Sequence, residues 1–428
     1  MRAQTHQPRT SRVGTVAFVI EDLPTPGSAG YRTYNRAFVQ ALRTGGWDVH
    51  LLVTGPRLPA LVFDADALLL IPGVFIHFLA ARTLFRRQWT TEPRAAVRAI
   101  FRALTDPRRP RLAALVAAMR GRRVTAGTST AIGRLADARD ARQVERLLRR
   151  IQPDAVLVDT IFRSAALPQG AWRFGRILVA HDVFFRRCES LAAHGMTPRP
   201  LVTPELEREL LSGFDQIVAI SDNDAADLRT LAPTIPVTTL RCPIQIAVAT
   251  PTPVESPGRV LYLGSAGHHN VDGLRWFLAD IWPQIILVRP ELMLDVVGAI
   301  GHAIGAVPVN VIVHGTVPDI TPIAARAMFA INPVRAGSGL KIKMLDYFAY
   351  GLPCVTTSTG AEGFPRSSNW PMSICDSSDE FISCVVEWAA DRTRIERLRA
   401  SAHRYVTQFS ITTFERELDG VVRASARP

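Results

Sequence analysis

Gly337, Gly339, Lys343 and Asp346 stand close together between two apolar runs in the stretch Phe329 to Phe364. The glycines let the backbone approach a ligand and turn N–H groups toward it, and a following helix adds the positive end of its dipole. Anions settle at such a place. At about 3.6 residues per turn, a helix carrying Gly339, Lys343 and Asp346 aligns them on one face and puts Ile342, Leu345 and Ala349 on another. The Lys343 ammonium suits a phosphate, and the Asp346 carboxylate, one turn on, can accept hydrogen bonds from a pair of sugar hydroxyls. A nucleotide-sugar offers both groups. Spacing alone also fits a tight turn followed by a surface ion pair, so both readings stand at this point.

The run as a whole resembles the donor-binding segment of retaining glycosyltransferases of group 1, also called family 4. In that family a strand ending in Pro leads to Gly-x-Gly, then Lys, an acid three residues later, Gly-x-Pro and a β-branched residue. This chain has Pro333, Gly337, Gly339, Lys343, Asp346, Gly351, Pro353 and Val355 in that order. Two positions depart from the pattern. The usual acid at Asp346 is Glu, and Ser338 stands where the longer form of the motif carries another Glu, which points to a Gly-x-Gly subfamily. The resemblance implies the GT-B fold, an α/β architecture of two Rossmann-like domains facing across a cleft. It also implies a nucleotide-sugar donor, retention of anomeric configuration, and no cofactor besides that donor.

Elements along the chain supply further positions. The apolar run Val13 to Ile20 reads as a buried parallel strand, followed by a glycine loop and a helix from Asn35 to Leu42. The resemblance carries donor contacts over to Gly27, Gly30 and Arg32. Only Gly27-Ser28-Ala29-Gly30 stands where a dinucleotide fingerprint needs G-x-G-x-x-G, which excludes a dehydrogenase of that type. Ile177 to Ala180 is another buried strand and ends at His181-Asp182, so the histidine points into the crevice of an open sheet. By resemblance His181 contacts the donor sugar near the reacting carbon, and Asp182 is its orienting partner or an acceptor contact. Ser221 with Asp224 reads as a helix cap.

After a proline-rich linker from Arg241 to Gly258, Val260 to Leu263 opens a second domain, followed by Gly264, His268 and Asn270 and by an amphipathic helix ending at Pro283. Gly264 and Asn270 fall on donor positions by resemblance, and Gly315 and Val317 fall where the family lays backbone against the nucleobase. The domains expected are 1–245, with a basic helical insertion at about 82–150, then 255–410, then a terminal helix at 411–428 that crosses back. The spacing of the Asp and His residues points to no metal cluster, so Lys343, with Arg335 or Lys341, is expected to do the work of a cation at the diphosphate.

Composition sets the remaining bounds. Of 428 residues, 47% are apolar and 21% charged, an ordinary globular balance with room for two domains. Five cysteines without paired spacing fit a reducing cytoplasm, and the polar N-terminal stretch, with no apolar run of the signal-peptide kind, leads us to expect no export. Between Arg82 and Arg150 eighteen arginines face five acids, so this segment holds all of the net charge of +12. Val97, Ile100, Phe101 and Leu104 recur there with helical spacing, beside the apolar run Ala67 to Phe85. That run is interrupted by Pro72, Gly73, His77 and Arg82 and is no spanning helix. Two readings stay open for 67–150: contact with the anionic inner face of a membrane, or a solvated insertion. Nucleic acid is disfavoured, since no aromatic platform accompanies the arginines.

The expected partners are therefore a nucleotide-sugar donor and a glycan, lipid-linked or small-molecule acceptor. The rival reading is a catalytically degenerate nucleotide-sugar binder or a membrane-surface scaffold that keeps the fold.

Overall fold

The structure is a computed structural model that describes residues 13–26, 30–55, 62–84, 87–90, 129–168, 170, 172–244 and 258–427. The first domain is built on β1 (Thr15–Ile20), β2 (Asp48–Val53), β4 (Val74–Phe78), β8 (Ala155–Asp159), β9 (Gly175–Ala180), β11 (Gln216–Ala219) and β12 (Val237–Thr239). They form one parallel sheet in the order β12-β11-β9-β8-β1-β2-β4. All six residues of β1 are buried, as expected of a central strand covered on both faces.

The second domain repeats the logic with β13 (Arg259–Leu263), β14 (Met293–Val297), β15 (Val311–Gly315), β16 (Phe329–Asn332), β17 (Cys354–Thr356) and β18 (Met372–Ile374). Their order is β15-β14-β13-β16-β17-β18, all parallel. Counted from its own first strand, each sheet begins 3-2-1-4-5-6, the order of doubly wound dinucleotide-type folds. Each therefore has a switch point, between β1 and β8 in one domain and between β13 and β16 in the other. Crevices for ligands open at the carboxyl ends of the strands there.

Apolar layers lock each sheet. In the second domain Trp282, Trp388, Phe277 and Phe329 are fully buried. Each such side chain contributes about 1.5–3 kcal/mol relative to exposure. The last helix, Ile411–Ser425, returns to the first domain: Phe414 meets Phe38 edge-on at 5.1 Å, Trp47 Nε1 donates to Asp419 at 2.9 Å, and Arg427 pairs with Asp215 at 2.7 Å.

Several expectations are corrected. The described part of the apolar run Ala67 to Phe85 supplies the end of a short helix (Ala65–Leu69), the edge strand β4, and β5 (Ala81–Leu84). The basic segment does not begin as a helix, because β5 pairs antiparallel with β6 (Arg87–Thr90), which also pairs with β3 (Val62–Phe63). At its other end, the helix Ala138–Ile151 belongs to the domain core through buried Val144 and Leu148. The expected helix around Val97 to Leu104, with Arg94, Arg98 and Arg102, lies outside the described residues. Pro283 does not end its helix but begins the segment Trp282–Val288, after a π-type turn at Phe277–Ile281. Among the described residues, no helix is long and apolar enough to cross a membrane.

Candidate active site

On the first-domain wall, the loop after β1 carries buried Asp22. It accepts from Tyr31 Oη at 2.8 Å and Arg32 Nη2 at 2.6 Å, so Arg32 reaches the cleft already paired. Gly30 precedes the helix Tyr31–Thr44 with φ 67°, a conformation that favours glycine. Gly27 lies outside the described residues.

His181 follows β9 and is almost wholly buried. Its Nε2 lies 2.7 Å from Asp159 Oδ1 and 3.1 Å from Asn35 Oδ1, and Tyr34 meets the ring edge-on at 5.2 Å. Both oxygens can only accept, so Nε2 carries the proton and Nδ1 is left as an acceptor. Nδ1 has no hydrogen-bond partner among the described residues. Asn35, hydrogen-bonded at Nε2, and Asp159, at the end of the neighbouring strand and within ion-pair distance, thus hold His181, and Asp182 does not. Asp182 turns the other way, toward Arg187 Nη2 at 2.5 Å and Ser338 Oγ at 2.6 Å.

On the second-domain wall, Asn270 projects from the helix His268–Trp276 just past β13, and Lys343 begins the helix Lys343–Ala349 just past β16. The two sit on either side of the switch point. Lys343 Nζ donates to Asn270 Oδ1 at 2.9 Å and lies over the Tyr262 ring at 4.7 Å, while Asn270 Nδ2 donates to Ser265 Oγ at 3.0 Å. Burial, reinforced by the neighbouring Lys341 charge, lowers the Lys343 pKa to about 7, and burial raises that of Asp346 to about 7. Among the described residues no ion pair joins Lys343 to Asp346 or engages either elsewhere. The surface ion-pair reading of their spacing therefore fails.

The glycine loop differs from the expected helical face, because the helix starts only at Lys343 and Gly339 precedes it with φ 70°. A Cβ there would stand 3.0 Å from Asp182 Oδ1, so the loop packs directly onto the opposite wall. Gly337 has φ 116°, and its N–H donates to Ser190 Oγ, also across the cleft, at 3.0 Å. Lys341 and Arg335 are not positioned as the expected counter-charges. Lys341 is buried and donates to the carbonyls of Ser338 and Gly339 at 3.2 and 2.8 Å, and Arg335 makes a two-armed pair with Asp272 through Nη2 at 3.0 Å and Nε at 3.3 Å.

Gly264, Gly298 and Gly315 gather at the ends of β13, β14 and β15: Gly298 N–H donates to Gly315 C=O at 2.7 Å, and the Gly264 carbonyl accepts from Ile300 N–H at 3.2 Å. Val317 packs against the core beside them. A cavity of about 690 Å³ opens between the walls, lined among others by Ser190, Gly337, Ser338, Glu362 and Trp370.

Sequence reasoning missed Asn35, Asp159, Arg187 and His269. His269 stands beside Asn270, and burial together with the nearby Arg187, Lys343 and Lys341 charges lowers its pKa to about 3, so it is a neutral ring in a cationic corner. Its place between His268 and Asn270 was a signal that could have found it. Arg187 had none, since an arginine on an amphipathic helix reads as solvated surface. Among the described residues, no group of three His, Cys, Asp or Glu side chains is arranged to hold a metal ion.

Residues 257–391 match the family model of the Glycosyl transferases group 1. A curated relative, an uncharacterised 44.6 kDa protein in the cps region of Klebsiella pneumoniae, is 22% identical over 161 residues, 35% of this chain, and the match spans 42% of that relative's length. Sucrose-phosphate synthase from Thermosynechococcus elongatus is similar in fold, with TM-score 0.67 and 14% identity over 96% of this chain and 98% of its own. Anabaena HepE, solved in complex with UDP and glucose, gives 0.59 and 12% over 96% and 100%. An S. aureus TarM mutant, solved with fondaparinux, alpha-GlcNAc-glycerol and UDP, gives 0.66 and 7% over 96% and 99%.

Proposed function

We propose that this chain, which has the GT-B fold and a second domain of the group 1 glycosyl transferase type, moves a sugar from a nucleotide-sugar donor to a glycan, lipid-linked or small-molecule acceptor with retention of configuration. One observation carries the reading. Lys343 and Asp346 stand one helical turn apart at a switch point, neither neutralised by a described side chain, just past Gly339, which packs against Asp182 and the His181 carbonyl. The UDP and glucose in the HepE structure, and the UDP and alpha-GlcNAc-glycerol in that of TarM, support a nucleotide-sugar and a glycan-like partner here.

In this reading Asp346 accepts from the ribose diol and Gly315 and Val317 flank the base. Lys343 meets the diphosphate, with Gly264, Asn270 and the loop Gly337-Ser338-Gly339 around it. As the glycosidic bond breaks with oxocarbenium character, negative charge grows on the leaving diphosphate. A lysine held by Asn270 is placed to stabilise it without reorganisation. A buried ammonium with a lowered pKa gains most from an arriving anion, since the anion restores the charged form. Asp159 and Asn35 fix the His181 ring, leaving Nδ1 to accept from a hydroxyl of the transferred sugar, while Asp182 and Arg187 set the position of the glycine loop. The Lys343 ammonium stands in for a metal at the diphosphate.

A panel of UDP- and GDP-sugars, read by thermal shift and by slow donor hydrolysis, tests the proposal. A shift and hydrolysis with at least one donor are expected, with activity retained in EDTA. A shift without hydrolysis or transfer would favour the degenerate binder, and a metal-reversible loss in EDTA would overturn the metal-free mechanism.

A further inference from the structure

The helix Ala138–Ile151 carries more arginine than its own acids can answer. Asp137 and Asp140 cap its first turn and pair with Arg134, at 3.5 and 2.8 Å, and Glu145 pairs with Arg149 at 2.8 Å. Each acid of the helix is thus engaged elsewhere. Arg142 and Arg146 are exposed, and among the described residues no carboxylate pairs with either. Together with Arg139 and Gln143 they recur at i, i+3, i+4 and i+7, one face of the helix. That face lines a cavity of about 630 Å³ whose other wall is Phe78, Leu79 and Ala81. Gln143, with its amide turned to donate to the Leu79 carbonyl at 3.1 Å, accepts from Arg139 Nε at 3.2 Å, which ties the helix to that wall.

Its place in the fold gives the cavity meaning. Phe78 ends β4, the edge strand of a parallel sheet, so the cavity lies at the same carboxyl edge as Asp22, Asp159 and His181. From β9 to β4 is four strand steps, roughly 19 Å at about 4.8 Å each. A group bound there is not the reacting group but a remote part of the same molecule, and such binding energy helps hold the reacting end in place. Two guanidinium forks beside an apolar and backbone wall, with no carboxylate paired to either among the described residues, match the oxygens of a phosphate.

We propose that Arg142 and Arg146 form a subsite for a phosphate group carried by the acceptor. The word acceptor rests on the transferase reading, whereas the anion site itself does not. The subsite also gives the surplus arginine a narrower role than general attraction to an anionic surface: two named side chains in one cavity.

The test uses the full chain and inorganic pyrophosphate as the probe, in a Lys343→Ala background so that the donor site does not contribute. Calorimetric titration at low salt should find binding, weakened at least about tenfold by adding Arg142→Gln and Arg146→Gln. Arg392→Gln with Arg397→Gln, the same charge change on an exposed helix of the second domain, should leave it unaltered. Equal affinity in all three chains, or equal loss in both double variants, would overturn the subsite. Flotation on phosphatidylglycerol vesicles that depends on Arg142 and Arg146 would place the phosphate on a lipid, while pyrophosphate binding without flotation would place it on a soluble chain. Absence of both overturns the proposal. The thermal response of the wild-type chain to UDP and GDP is read alongside: its failure would count against the transferase reading and leave the pyrophosphate result standing.

Discussion

Ser338 Oγ donates to Asp182 Oδ1 across the cleft at 2.6 Å, joining the glycine loop of the second domain to the residue next to His181. Arg187 grips the same carboxylate at 2.5 Å and donates to the Ser338 carbonyl at 3.3 Å, so the loop is held by its side chain and its backbone together. Ser338→Ala removes one of these contacts and should cost about 1 kcal/mol, a small fall in melting temperature with a raised donor KM. Asp182→Ala leaves Arg187 without its counter-charge and should cost more. Equal melting temperatures for wild type and both variants would mean that the contact does not hold the loop.

Lys343→Ala should lower kcat/KM for the donor at least about tenfold, the size of a lost charge-assisted phosphate contact of roughly 1.5–3 kcal/mol. Asp346→Asn should weaken nucleotide binding itself, and Asp346→Glu should be tolerated. Steady-state kinetics and nucleotide titrations of the three variants decide this; wild-type behaviour of Lys343→Ala would remove it from the site.

Donor affinity should depend on pH in a defined direction. With pKa values near 7 in the free chain, Lys343 loses its charge above about pH 7 and Asp346 gains a proton below it. Diphosphate binding raises the Lys343 pKa again, so binding above pH 7 should take up a proton, and affinity should fall by up to about tenfold per pH unit there. Below pH 7, protonated Asp346 has lost an acceptor for the ribose, and affinity should fall again. Calorimetry at pH 8 in buffers of different ionisation enthalpy measures the uptake; zero uptake would contradict the Lys343 assignment.

Asp159→Asn should lower kcat while leaving nucleotide affinity in place. The variant puts an amide that can donate 2.7 Å from His181 Nε2, which disturbs the tautomer that frees Nδ1. Parallel loss of kcat and nucleotide binding would instead make His181 and Asp159 a structural pair.

Gly298→Ala should destabilise the second domain by about 2 kcal/mol or more. Gly298 has φ 110°, and an added Cβ would lie 2.2 Å from the Gly264 carbonyl oxygen. Thermal melting checks it, and an unchanged melting temperature would mean that the loops after β13 and β14 are loosely joined.

Local chain properties were enough for much of this protein. Apolar runs announced β1, β9 and the strands around Gly264 and Lys343, because strand burial is written residue by residue along the chain. The spacing of Gly337, Gly339, Lys343 and Asp346 was likewise a local fact. Tertiary structure decided who meets whom. His181 found Asp159 and Asn35, not its neighbour Asp182, because strand order sets β8 beside β9 and brings in a helix from 146 residues away. The basic segment opens as antiparallel strands although its composition reads as helix, since strand pairing depends on partners that no window of sequence contains. Lys343 and Asp346 are not a surface ion pair, because Asn270, 73 residues away, claims the lysine and burial shifts both groups.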